Sequence, residues 1–114
     1  MSLTFNLELE GKSSPWGRIQ NAYTVADGIF LVSTAGHGGA KLDRKRNAQV
    51  PKPWRSKGGW YEEDCDWAIV ALTFPEEPYF AEVVGPDDQT RVDYARSSAR
   101  HYNPEFLAFI EPEG

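Results

Sequence analysis

The sequence predicts an α+β fold, a small antiparallel sheet of about three strands covered by two or three helices. Three observations predict it. Leu3, Phe5, Leu7 and Leu9 alternate with polar residues, Asp27-Gly28 separates two β-prone runs, and the second half carries acid-led apolar stretches punctuated by proline.

Taken in order, the period-two alternation over 3–9 predicts a strand with one buried face. Ile19, Tyr23 and Val25 predict a second strand, although Asn21 interrupts its apolar side. Asp27-Gly28 then predicts a tight hairpin, because both residue types tolerate positive φ. Ile29–Thr34 begins with four consecutive apolar residues, which predicts a central strand covered on both faces. Over 43–49, one or two helical turns are expected. From Trp60 onward, Glu62, Glu63, Asp64 and Asp66 precede Trp67-Ala68-Ile69-Val70-Ala71-Leu72, so a buried helix led by acids is expected to run to Phe74. A buried strand over 67–74 is the alternative, since periodicity does not separate the two. Pro86, Asp87 and Asp88 predict the start of an amphipathic helix reaching Tyr102, with Val92, Ala95, Ala99 and Tyr102 as its apolar stripe. Asn103-Pro104 stops it, and Asn103 is expected to cap a short helix over 105–110.

A length of 114 residues with 40% hydrophobic content suits one domain, 1–114, with a real core. No apolar run is long enough to span a membrane, and the first residues lack the pattern of a signal peptide, so a cytoplasmic protein without membrane contact is expected. The single cysteine excludes an intramolecular disulfide framework. A net charge of −5 argues against whole-molecule attraction to nucleic acid. That charge is segregated: residues 41–57 hold seven cations and one acid, while 58–90 hold nine acids and no Lys or Arg. The two blocks either form separate faces or fold against each other and cancel.

Gly36-His37-Gly38-Gly39 can be a strand-to-helix turn, an anion-binding backbone nest, or a place where backbone packs closely on an aromatic ring. It lacks the GK[ST] ending of a P-loop and the spacing of a dinucleotide fingerprint. His37 with acids among Glu62, Glu63, Asp64 and Asp66, or with Cys65, offers donors for a metal ion, but no HExxH or CxxC spacing supports one. A Cys65–His37 nucleophilic pair is disfavoured, because four neighbouring acids raise the thiol pKa. Lys41 to Trp60 mixes cations with Trp54 and Trp60, which suits phosphate contact and base stacking. It equally suits a solvated loop anchored by its two tryptophans.

Pro15-Trp16-Gly17, His37-Gly38-Gly39 and Gly59-Trp60-Tyr61-Glu62-Glu63-Asp64-Cys65-Asp66-Trp67-Ala68, in this order, resemble an uncharacterised domain family of small phage and plasmid proteins. The resemblance covers about residues 15 to 105, and the Gly59–Ala68 string is its specific part. It implies a mobile-element setting and carries no reaction or catalytic residue. In that setting the expected function is binding, as an inhibitor of a host defence system of anti-CRISPR or anti-restriction type. The partner is then a host protein, from a defence or nucleic-acid-handling complex. The acids Glu62, Glu63, Asp64, Asp66, Glu76, Glu77, Asp87 and Asp88 are the expected binding surface. His37, Gly38, Gly39, Trp60 and Tyr61 form a second candidate cluster, expected to lie close to Trp67. No motif calls for a cofactor. A small metal-dependent hydrolase using His37 and acids within 62–66, and a nucleic-acid binder using 41–57, are the alternatives.

Overall fold

The computed structural model describes residues 3–112. Its strands are β1 (Thr4–Phe5), β2 (Ser13–Ser14), β3 (Gly17–Arg18), β4 (Asn21–Ala26), β5 (Ile29–Ser33), β6 (Gly38–Leu42) and β7 (Trp60–Glu62). Its helices are α1 (Arg44–Asn47), α2 (Trp67–Thr73), α3 (Pro78–Ala81), α4 (Arg91–Tyr102) and α5 (Pro104–Ile110). One antiparallel sheet has the order β1-β4-β5-β6-β7, and β2 pairs with β3 as a separate small hairpin. The fold is α+β as predicted, but the sheet has five strands rather than about three.

The β4–β5 hairpin forms where Asp27-Gly28 predicts it. Ala26 pairs with Ile29, and Gly28 takes φ +82° to close the turn. β5 is the middle strand, and its two faces serve different clusters. Ile29 is buried in the main core with Leu42, Ala40 and Tyr61, whereas Val32 is buried with Ile19 and Ala22 on the other side. Helices cover the first face. α2 packs on β6 and β7, and α4 and α5 pack on α2. Sandwiched in this way, α2 buries five consecutive residues, Ala68 to Leu72.

Further expectations are corrected. The alternation over 3–9 does not give a long strand with a buried face. The Asn6 side-chain oxygen accepts the backbone N–H groups of Glu8 (3.1 Å) and Leu9 (3.3 Å), a local turn that competes with the ladder. β1 is therefore two residues long, and Phe5 and Leu7 are exposed.

The segment Gly36 to Gly39 is not a strand-to-helix turn. Residues 34–37 close a second hairpin, with the Thr34 N–H donating to the His37 carbonyl at 2.7 Å. Gly38 and Gly39 already belong to β6, so their backbone is committed to the sheet. The third reading of this segment is the one realised. A Cβ on Gly39 would lie 2.5 Å from Cη2 of Trp16 and would overlap the Tyr61 carbonyl oxygen.

The acid-led helix starts later than expected. Trp60-Tyr61-Glu62 pairs with Lys41-Ala40-Gly39 as an edge strand, which buries Tyr61, and α2 begins only at Trp67.

Pro86, Asp87 and Asp88 sit in a turn before α4 rather than within it. Val84 and Gly85 both donate to the Gln89 carbonyl, and Thr90 is the N-cap. Thr90 Oγ1 accepts the Asp93 N–H at 3.1 Å while the Asp93 carboxylate accepts the Thr90 N–H at 2.9 Å, a reciprocal capping box. This N–H, before any other group, holds the Asp93 carboxyl below the usual range. The α4 stripe ends at Ala99, since Tyr102 is exposed. Asn103 precedes α5 without capping it. Its side-chain amide donates instead to the Cys65 carbonyl at 2.7 Å, tying the α4–α5 corner to the acidic segment.

Candidate functional site

Two distinctive features of the sequence meet at one end of the sheet. His37 lies in the β5–β6 turn, where the buried Thr34 hydroxyl accepts its N–H (3.2 Å) and donates to its carbonyl (2.8 Å). Glu62 ends β7, and Asp64 lies in the turn that follows. Backbone bonds pin that turn: Glu63 N–H to the Gly38 carbonyl at 3.0 Å and Asp66 N–H to the Glu62 carbonyl at 2.8 Å. His37 Nδ1 stands 4.0 Å from Glu62 Oε1. One donor atom from each of His37, Glu62 and Asp64 lies within 4.8 Å of the others. Glu63, Cys65 and Asp66, which the sequence offered as further ligands, are not part of this group.

Asp64 also lines a cleft of about 520 Å³, with Glu63 beside it. Trp67 of α2, Tyr79 and Phe80 of α3, Val84, and Arg91 and Tyr94 of α4 form its aromatic and apolar wall. Arg91 is fixed in place. Its guanidinium lies 3.7 Å from the Tyr79 ring centroid, donates to the Tyr79 carbonyl at 2.8 Å and pairs with Glu82. A cleft that joins aromatic walls to a few polar groups is the usual form of a small binding site. Trp67 is half-buried here rather than enclosed in the core. It belongs to the helix-covered face, whereas Trp60 packs on the opposite one, so the expected grouping of His37, Trp60 and Trp67 is divided between two faces.

The remaining motif pieces make a packing unit. Trp16, Gly39 and Trp60 meet on the face away from the helices, with the two indoles edge to face at 5.7 Å. Lys41 Nζ sits 4.6 Å from the Trp60 ring centroid and donates to the Gly58 carbonyl. Burial, opposed by Asp43, lowers the Lys41 pKa. Tyr61, the fifth member of that candidate cluster, is enclosed in the main core and not available to a ligand.

The charge blocks touch but cancel little through ion pairs. Among the described residues, Arg46–Glu77 at 2.8 Å is the one ion pair that joins them. Glu77 therefore leaves the acidic surface, and Asp66 is half-buried ahead of α2. Glu63, Asp64, Glu76, Asp87 and Asp88 are exposed. In the basic block, Arg55 donates to the Val50 and Ala48 carbonyls. Trp54 packs on Phe106 and Phe109, with centroids at 5.5 and 5.1 Å. Trp54 thus anchors the basic segment to the core, leaving Arg44, Lys45, Lys52 and Lys57 exposed.

Burial raises the Cys65 thiol pKa, and Asp66, Glu62 and Asp64 raise it further. The thiolate is the reactive form, so alkylation by iodoacetamide is expected to be slower at pH 7.5 than for an unstructured cysteine peptide. Its rate should keep rising at alkaline pH, beyond the point where the peptide's has levelled off. Fast alkylation at neutral pH would contradict this and revive a nucleophilic Cys65.

The cleft walls were hidden in the sequence, because Tyr79, Val84, Arg91 and Tyr94 carry no motif and converge only through helix packing. Trp16 had a weak signal in its Pro-Trp-Gly setting. No helix among the described residues is long and apolar enough to cross a membrane. No curated protein and no solved structure matches this chain. A family model described as a domain of unknown function, DUF7007, matches residues 9–112, and the chain belongs to that family.

Proposed function

We propose that this protein is an accessory factor of a phage or plasmid that acts by binding, without catalysing a reaction. Its target is a host protein that handles nucleic acid, such as a restriction or CRISPR complex, and its carboxylates occupy a site where that protein would hold phosphates. One observation carries this reading. Glu63 and Asp64 are exposed on the rim of an aromatic cleft, and no Lys or Arg forms an ion pair with either among the described residues. Exposed acids beside apolar surface suit a cationic partner face, with the aromatic side chains as anchors.

The test is a tagged pull-down from plasmid-bearing host cells, with the co-purifying proteins identified. It compares the wild type with a variant carrying Glu63→Gln, Asp64→Asn, Glu76→Gln, Asp87→Asn and Asp88→Asn. The wild type is expected to retain a nucleic-acid-binding protein that the variant loses, and retention should fall with added salt. Single substitutions should each cost no more than about 1 kcal/mol, as exposed charges do. His37→Ala should retain the partner. Unchanged capture by the five-fold variant, or a direct shift of labelled DNA by the chain alone, would overturn the proposal.

A further inference from the structure

We propose that His37, Glu62 and Asp64 bind one divalent transition-metal ion of the zinc class at the mouth of the aromatic cleft. The donor atoms come from three separate places, the β5–β6 turn, the end of β7 and the turn after it. They nevertheless converge within 4.8 Å of one another. The 4.0 Å between His37 Nδ1 and Glu62 Oε1 is too long for a hydrogen bond. Two ligands about 2.1 Å from one tetrahedral ion stand roughly 3.4 Å apart, so an inward shift of about 0.6 Å brings this pair to a shared ion. Rotation of the exposed His37 and Asp64 side chains toward the half-buried Glu62 closes the group over a backbone already fixed by Thr34, by the Glu63-to-Gly38 bond and by Asn103 on Cys65.

The donor set also selects the ion. An imidazole nitrogen with two carboxylates favours zinc, cobalt, manganese or iron(II), whereas magnesium and calcium prefer all-oxygen sites. Three protein ligands leave at least one coordination position open. Because Asp64 lines the cleft as well, a small anionic or neutral donor group on a cleft ligand can reach that position. This inference does not rest on the binding function proposed above. The two fail separately, since one is read with purified protein and metal salts and the other from a host partner.

The experiment is calorimetric titration of the chelator-treated full chain with zinc chloride, followed by cobalt(II) substitution read by visible absorption. One zinc per chain is expected, with cobalt giving ligand-field bands. His37→Ala should weaken zinc binding by more than about tenfold, since even outer partners of metal ligands cost ten- to a hundredfold. Asp64→Asn should weaken it as well. His37 and Asp64 are exposed, so both variants should keep the wild-type circular dichroism spectrum and melting temperature. His101→Ala serves as the control and should bind as the wild type does, because that ring lies outside the group, edge to face with Tyr102. No saturable zinc binding, or an affinity unchanged in His37→Ala, would overturn the site. Loss of binding in His101→Ala alone would likewise overturn it.

Discussion

Tyr61→Ala is expected to cost about 3–5 kcal/mol, the usual range for truncating a buried large aromatic. Tyr61 is 1% exposed and stands opposite Ala40 in the sheet, against the helices. Its ring closes the β6–β7 end of the main core. Its hydroxyl does separate work, donating to Asn47 Oδ1 at 2.6 Å and accepting the Ser56 N–H at 2.9 Å. Those two bonds hold α1 and the 51–59 loop to the sheet. Burial pushes the phenol pKa up, against the Ser56 N–H and Arg55 that lower it, so the hydroxyl stays a donor through the neutral range. Against a typical domain stability of about 5–15 kcal/mol, this loss brings the protein near unfolding. Denaturant melts check it, with Tyr61→Phe as the companion variant. Removing only the hydroxyl leaves two groups without their partner and should cost about 1–3 kcal/mol. A cost below about 1 kcal/mol for Tyr61→Ala would mean that the ring is not enclosed.

Gly39→Val is expected to destabilise by about 3 kcal/mol, at the upper end of the range for overpacking, because backbone and not only a side chain must move. Gly39 lies between Val32 and Glu62 in the sheet, and Trp16 occupies the space where its side chain would project. The diagnostic measurement is a double-mutant cycle with Trp16→Ala. Removing the indole relieves one of the two clashes and leaves the Tyr61 carbonyl overlap. The valine should therefore cost less in the Trp16→Ala background, with a coupling of about 0.5–3 kcal/mol. Strict additivity would show that Trp16 does not lie on Gly39. The cycle tests the packing unit of the Pro-Trp-Gly, His-Gly-Gly and Gly-Trp-Tyr pieces, in which Trp16, Gly39 and Trp60 meet, with His37 exposed beside it.

Local chemistry by itself determined a good part of this protein. Asp27-Gly28 was enough to place the β4–β5 hairpin, because two adjacent residues supply the turn. Consecutive apolar residues were enough to place Ile29–Ser33 at the centre of the sheet and to mark Ala68–Leu72 as a buried segment, while its being a helix rather than a strand was not fixed by them. The pairing of His37 with the acids after Trp60 was legible too, although which acids reach it was not. Tertiary structure decided the rest. β6 and β7 exist because they pair with each other and with β5. Gly38-Gly39-Ala40 has no β propensity that a local reading can use, and its missing side chains are supplied by Trp16 from another hairpin. The acids of 62–66 looked like a helix start because helix dipoles favour them there, but edge pairing of Trp60–Glu62 with β6 won. The alternation over 3–9 failed for the opposite reason, a single Asn6 side chain capturing the backbone that a longer β1 needed. The cleft belongs wholly to the tertiary level. Its walls come from α2, α3, the turn before α4 and α4 itself, and helix packing, which acts between residues distant along the chain, is what brings Trp67, Tyr79 and Tyr94 around Asp64.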